Sequence, residues 1–133
     1  MSIWILSKEL LLNIFYPRSP LHDGAVILDG ERAVAAGTVL PLSQETLRAR
    51  YGTRHKSALG ISEHTDALAI VLSEERGTVS ICRDGKMDSE VTLERLEEAL
   101  YEFYGLKQRQ SMLGKKRRLR RRLWGFRFGD VRN

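Results

Sequence analysis

Ser19-Pro20-Leu21-His22-Asp23-Gly24-Ala25-Val26-Ile27-Leu28-Asp29-Gly30 is the stretch whose reading decides the fold. Ala25 to Leu28 is an apolar run, and the Asp29-Gly30 pair behind it is a hairpin turn signal. Arg32 to Leu40 returns as a second strand, so a β-hairpin follows directly on Asp23-Gly24. Upstream, residues 3–15 read as a helix, with Ser7 as N-cap and Glu9 in the first turn. Pro17 and Pro20 end that helix.

Downstream, residues 41–50 form a polar connection with a short helical piece. Thr53 caps a helix running to about Glu63, with Ala58, Leu59 and Ile61 on its inner face. Ala67 to Leu72 is a continuous apolar run, the mark of a strand buried on both faces. Thr78 to Cys82 and the Asp84-Gly85 turn predict another hairpin. Thr92 then caps an amphipathic helix whose apolar positions are Leu93, Leu96, Leu100, Phe103 and Tyr104, and Gly105 ends it. The order predicts an α/β fold: a single domain over residues 1–105, a mixed β-sheet flanked by helices, with a basic C-terminal extension over residues 106–133.

The 133 residues suffice for one domain, and 42% apolar content suits a globular core. The net charge of +5 hides two opposite parts. Residues 1–105 hold 11 Lys/Arg against 16 Asp/Glu, while residues 106–133 hold 11 Lys/Arg and one acid, Asp130. The high pI therefore belongs to the extension and says little about the ligand of the body. A single cysteine, Cys82, excludes an internal disulfide and a cysteine-built zinc site, and its apolar alternation places it inside a strand. No apolar run approaches the roughly 18–20 residues that cross a bilayer. The N-terminus lacks a signal-peptide layout, so the expected location is cytoplasmic.

Two short strings carry the chemistry. In the first, an Asp before Gly is by default a turn residue. His22 directly before Asp23 adds a second metal ligand, a borderline nitrogen beside a hard oxygen, which suits Mn²⁺ or Mg²⁺ near phosphate. Gly24 has no Cβ, so a ligand can approach its backbone. The second string is Gly52-Thr53-Arg54-His55-Lys56-Ser57. At a helix start, free N–H groups and the dipole favour an anion. Arg54 adds a forked donor, Lys56 a point charge, and Thr53 and Ser57 hydroxyls. Cations at a helix start oppose the dipole, so they make better sense with an anion present. Ser73 and Glu74 close a buried strand, where carboxylates commonly face a ligand crevice. The sequence holds no Walker loop and no Rossmann fingerprint.

These strings, in order, resemble the diadenylate cyclase domain. The resemblance runs from about Leu6 to Tyr104. It includes Leu21-His22-Asp23-Gly24-Ala25-Val26-Ile27, Leu40-Pro41-Leu42-Ser43, Gly52-Thr53-Arg54-His55, Ala58-Leu59-Gly60-Ile61-Ser62-Glu63 and Val71-Leu72-Ser73-Glu74-Glu75. It looks closest to the membrane-anchored bacterial type. The resemblance implies condensation of two ATP into the second messenger cyclic di-AMP, with release of pyrophosphate. It implies catalytic roles for Asp23, Gly24, Ala25, Arg54, His55 and Lys56. Metal would be held by His22 and Asp23, and ATP by Gly24, Leu40, Thr53, Arg54, His55, Ser73 and Glu74. It further implies a divalent Mn²⁺ or Mg²⁺ ion and a face-to-face homodimer, because one site carries one ATP.

Two departures accompany the resemblance. Lys56 stands where the family signature Arg-His-Arg has its second Arg, which keeps the charge and loses the bidentate fork. The family domain also begins with a helix and a central apolar strand ahead of the first helix seen here, so the match is N-terminally truncated. Losing a central strand would expose unpaired backbone edges. Residues 107–128 lie outside the resemblance. Their cations, with Trp124, Phe126 and Phe128, fit an anionic membrane surface or nucleic-acid phosphates. Two alternatives to the enzyme stay open on the sequence: a non-catalytic protein that binds ATP or cyclic di-AMP, and an adaptor driven by the basic extension.

Overall fold

The computed structural model describes residues 5–73 and 75–105. The basic extension therefore lies outside the described residues. Among the described residues three helices, α1 (Lys8–Ile14), α2 (Thr53–His64) and α3 (Leu93–Phe103), accompany five strands. The strands are β1 (Ala25–Asp29), β2 (Arg32–Thr38), β3 (Ala69–Ser73), β4 (Thr78–Arg83) and β5 (Lys86–Val91). The expected α/β domain is present, and its strands fall into two antiparallel sheets, β1-β2 and β3-β4-β5.

The first half is built around the β1-β2 hairpin. Asp29 pairs with Arg32 across Gly30, whose φ of 57° is left-handed. Gly24, at φ 108°, enters β1 against the opposite strand. A Cβ there would stand 2.6 Å from the carbonyl carbon of Gly37, so the chain's own backbone already requires glycine at this turn. Ser7 caps α1 as expected, its Oγ accepting from the Leu10 N–H at 3.0 Å. The helix does not begin at residue 3. Ile5 bridges to Arg32, and the Leu6 N–H donates to the Glu31 carbonyl at 2.7 Å. Pairing with the hairpin thus holds residues 5 and 6 extended.

The second half is a three-layer stack. Adjacent residues of β4 point to opposite faces. Cys82 packs with Val71 of β3 and with Ala58 and Leu59 of α2. Ile81 packs with Leu96, Ala99 and Leu100 of α3. The two helices therefore cover opposite faces of the sheet. Leu59 and Leu96 are 1% and 2% exposed, each a contribution of about 1.5–3 kcal/mol from burial. The Asp84-Gly85 turn has φ of 53° and 73°, the positive pair of a primed hairpin turn. Thr92 Oγ1 caps α3 by accepting from the Arg95 N–H at 3.2 Å. Cys82 is fully buried and its thiol is pushed up to about 12 by burial, so it is a packing residue.

Four expectations are corrected. Residues 41–50 contain no helix. Thr53 is the first residue of α2, and Gly52 is its N-cap. Of the strand expected at residues 67–72, only Val71 is buried, because residues 67–71 form part of the wall of a cavity. Leu93 is 68% exposed, and the inner face of α3 is Leu96, Ala99 and Leu100. Among the described residues no helix is long and apolar enough to cross a membrane.

Residues 41–43 lie directly on α2. A Cβ on Gly60 would overlap the Pro41 carbonyl oxygen and stand 2.8 Å from the Ser43 nitrogen. Gly60→Ala is accordingly expected to lower stability by about 1–3 kcal/mol, the usual cost of overpacking a close contact. Urea unfolding of the two proteins checks this, and equal midpoints would contradict the close approach.

Candidate functional site

A cavity of about 580 Å³ lies between the two halves. That is the size of a small-molecule site. Its first wall is Asp23, Gly24 and Ala25 with Val26, Ile27 and Leu28 of β1, continued by Thr38, Val39 and Leu40 at the end of β2. Its second wall is Thr53, Arg54, Ser57 and Ile61 of α2, with residues 67–71 leading into β3. Phe15 of α1 and Leu100, Phe103 and Tyr104 at the end of α3 complete the lining. Most of this surface is apolar. The charged groups on it are Asp23 and Arg54.

The tip of α2 differs chemically from the other helix starts. Ser7 and Thr92 cap α1 and α3, with Glu9 and Glu94 in their first turns. Gly52 offers α2 no side-chain acceptor, and its first turn contains no acid. The first N–H groups of a helix have no intrahelical partner, so this end suits an anion. Thr53, Arg54 and Ser57 are spaced to share one face of the helix, and that face lines the cavity. Arg54 is half-buried, with Nε and Nη2 shielded from solvent.

His55 points elsewhere. It is 6% exposed, and its ring centroid lies 4.7 Å from that of Tyr51 at an interplanar angle of 47°. The Arg50 guanidinium sits 4.9 Å over the other ring of that pair, Tyr51. Arg50 and Arg76 both reach Glu90 Oε1, at 3.6 and 3.2 Å. Burial, then the charges of Arg76 and Arg54, hold the His55 imidazole below its ordinary pKa. His55 is therefore held toward its neutral form, packed against Tyr51 beside the helix tip.

Of the residues singled out in the sequence, the cavity brings together Asp23, Gly24, Ala25, Leu40, Thr53, Arg54 and Ser57. His22, His55, Lys56 and Ser73 are not part of its lining. Glu74 lies outside the described residues. The apolar lining from Phe15, Ile61 and Tyr104 was not singled out. Its sequence signal is only helical periodicity, which a packed core produces equally well.

Among the described residues no group of three or more His, Cys, Asp or Glu could hold a metal ion. His22 Nδ1 lies 2.6 Å from the Ser19 carbonyl. A carbonyl only accepts, so Nδ1 donates, which leaves Nε2 as the ring nitrogen that could meet a metal ion. Asp23 is an exposed single carboxylate on the cavity wall. That donor set fits a hard cation that draws its remaining ligands from bound phosphates and water, and not an all-protein metal cage.

Comparison with known proteins gives a consistent result. The family described as DisA bacterial checkpoint controller nucleotide-binding (DAC) matches residues 4–87. The chain is 50% identical over 96 residues to the cyclic di-AMP synthase CdaA of Bacillus subtilis, covering 71% of this chain and 35% of that protein. It is 48% identical over 96 residues to a diadenylate cyclase of Listeria monocytogenes, again covering 71% and 35%. The chain thus spans about a third of the length of these curated relatives. The crystal structure of a double mutant of DacA from Staphylococcus aureus superposes with a TM-score of 0.72 at 43% identity, covering 76% of this chain and 68% of that one.

The lowered pKa of His55 has a definite consequence for stability. An unfolded histidine takes up its proton near pH 6.5, and the folded one only at lower pH. Below about pH 6.5 the unfolded state binds more protons, so the stability that neutral His55 supports is complete above that pH and is lost as pH falls through it. Thermal melting from pH 7.5 to 5 should show this decline, and His55→Gln should flatten it. An unchanged slope in the variant would assign the decline to other groups.

Proposed function

The chain belongs to the DAC family of nucleotide-binding domains, and from that premise we propose that it is the ATP-holding part of a diadenylate cyclase. The observation that carries this reading is the convergence of the Asp23-Gly24-Ala25 turn and the basic, uncapped tip of α2 on one cavity. The apolar surface beside Leu40 suits an adenine ring. Thr53, Arg54, Ser57 and the first N–H groups of α2 suit a polyphosphate. Asp23, across the cavity mouth, would orient the ribose 3′-hydroxyl and accept its proton.

The reaction is the in-line attack of one 3′-oxygen on the α-phosphorus of a second ATP. An O3′–P bond forms, the P–O bond to pyrophosphate breaks, and the hydroxyl proton is lost. Two such transfers close cyclic di-AMP. Little covalent help is needed, so the work of the protein is positioning and charge stabilisation. A divalent ion between Asp23 and the phosphates would add charge neutralisation. One cavity of this volume takes one nucleotide, so two chains would meet face to face for the transfer. Lys56, outside the lining, would act on the phosphates through its field and not by a bidentate contact.

Incubation of the protein with ATP and Mn²⁺, followed by chromatography for cyclic di-AMP, tests the reading. Asp23→Asn keeps the shape of the turn and removes its charge. It should lower turnover roughly 10²-fold or more while the fold, followed by circular dichroism, is unchanged. Full activity in that variant would remove Asp23 from its role. Nucleotide binding by the unsubstituted protein without any product would favour a non-catalytic nucleotide-binding protein.

A further inference from the structure

The segment that carries Leu40 is fastened to α2 at three points. The Ser43 N–H donates to the Lys56 carbonyl at 3.0 Å. The Pro41 carbonyl rests over Gly60, where any side chain would collide with it. Ser43 Oγ donates to Glu63 Oε1 at 2.5 Å and accepts from the Glu45 N–H at 3.1 Å. Lys56, Gly60 and Glu63 follow the four- and three-residue steps of one helix face. Thr53, Arg54, Ser57 and Ile61, which line the cavity, form the neighbouring face.

Ser43 is 5% exposed, so its hydroxyl is a buried polar group whose main side-chain partner is Glu63. Neither residue is part of the cavity lining. Leu40 and Leu42, on either side of the Pro41 contact, do line it. The spacing between this wall and the tip of α2 is therefore set from behind, by bonds that never touch a ligand. Glu63 is itself held in place. The Gly85 N–H donates to the Ser62 carbonyl at 3.2 Å, and a Cβ on Gly85 would stand 3.4 Å from Glu63 Cγ. The β4-β5 turn thus backs the residue that holds the loop.

We infer that Ser43 and Glu63 are positioning residues for the nucleotide cavity, a latch that fixes the Leu40–Leu42 wall against the phosphate-binding face of α2. The inference rests on the nucleotide reading given above. Without the latch the wall keeps its backbone bond to Lys56 but gains freedom along the helix. The adenine and phosphate contacts can then no longer be made together at full strength. A displacement well under the size of a side chain suffices to weaken a site of this kind.

The test compares the unsubstituted protein with Ser43→Ala, Glu63→Ala and Glu63→Gln. A non-hydrolysable ATP analogue is titrated by calorimetry, and backbone amide exchange is followed at residues 42–45. Ser43→Ala and Glu63→Ala should each weaken binding by about five- to tenfold, the effect of losing one ordinary, partly solvated hydrogen bond. Exchange at residues 42–45 should rise while β4 stays protected. Glu63→Gln retains an oxygen acceptor for the Ser43 hydroxyl and should restore binding to within about twofold. A merely structural role would raise exchange in β4 as well, and would not confine the change to residues 42–45. Unchanged affinity in both alanine variants, with the unsubstituted protein binding the analogue, overturns the latch and leaves the nucleotide reading standing. Absence of analogue binding by the unsubstituted protein overturns the nucleotide reading, and the latch with it.

Discussion

The contact of the Pro41 carbonyl with Gly60 is the constraint on which the rest of this structure depends. The β1-β2 hairpin and the β3-β4-β5 stack form separate sheets, so their relative placement rests on what crosses between them. The segment leaving β2 crosses by lying on α2, and it can do so only where the helix offers no side chain. That approach sets Leu40 on one side of the cavity and Thr53, Arg54 and Ser57 on the other. A glycine inside a helix costs about 1 kcal/mol relative to alanine. Here the cost is offset by a contact that no alanine permits.

Charge follows the same division of labour. Residues 1–105 carry a net negative charge, yet the helix tip facing the cavity is basic and lacks an acid. A cation at a helix start is unfavourable by a few tenths of a kcal/mol until an anion arrives. His55, next to Arg54 in sequence, is held toward its neutral form by burial and by the charges of Arg76 and Arg54. Arg50 and Arg76 are both drawn to Glu90. The positive charge presented to the cavity lining is therefore that of Arg54, with the helix dipole behind it.

Local chemistry was legible in the sequence and long-range contact was not. Ser7 and Thr92 were readable as caps, and Gly30 and the Asp84-Gly85 pair as turns, because each satisfies a requirement of its immediate neighbours. The Asp23 and Arg54 strings stood out because cations at a helix start oppose its dipole, and both strings do line one cavity. The start of residues 41–50 was misread because Pro41 and Ser43 are held by Lys56, Gly60 and Glu63 of α2, contacts that no local pattern displays. Residues 5 and 6 were misread for a like reason, since the hairpin turn holds them. The Ser43–Glu63 bond spans 20 residues and leaves no local pattern. His55 lies outside the cavity lining and packs at a tilt against Tyr51, four residues before it, the spacing that makes neighbours on a helix.

If the acidic turn and the basic helix tip serve one nucleotide, both must respond to it at the same concentration. Backbone amide chemical shifts during titration with ATP test it most directly. The amides of residues 23–25 and of residues 53–57 should move together, along a single saturation curve. Shifts confined to one of the two groups, or two curves with different midpoints, would contradict it.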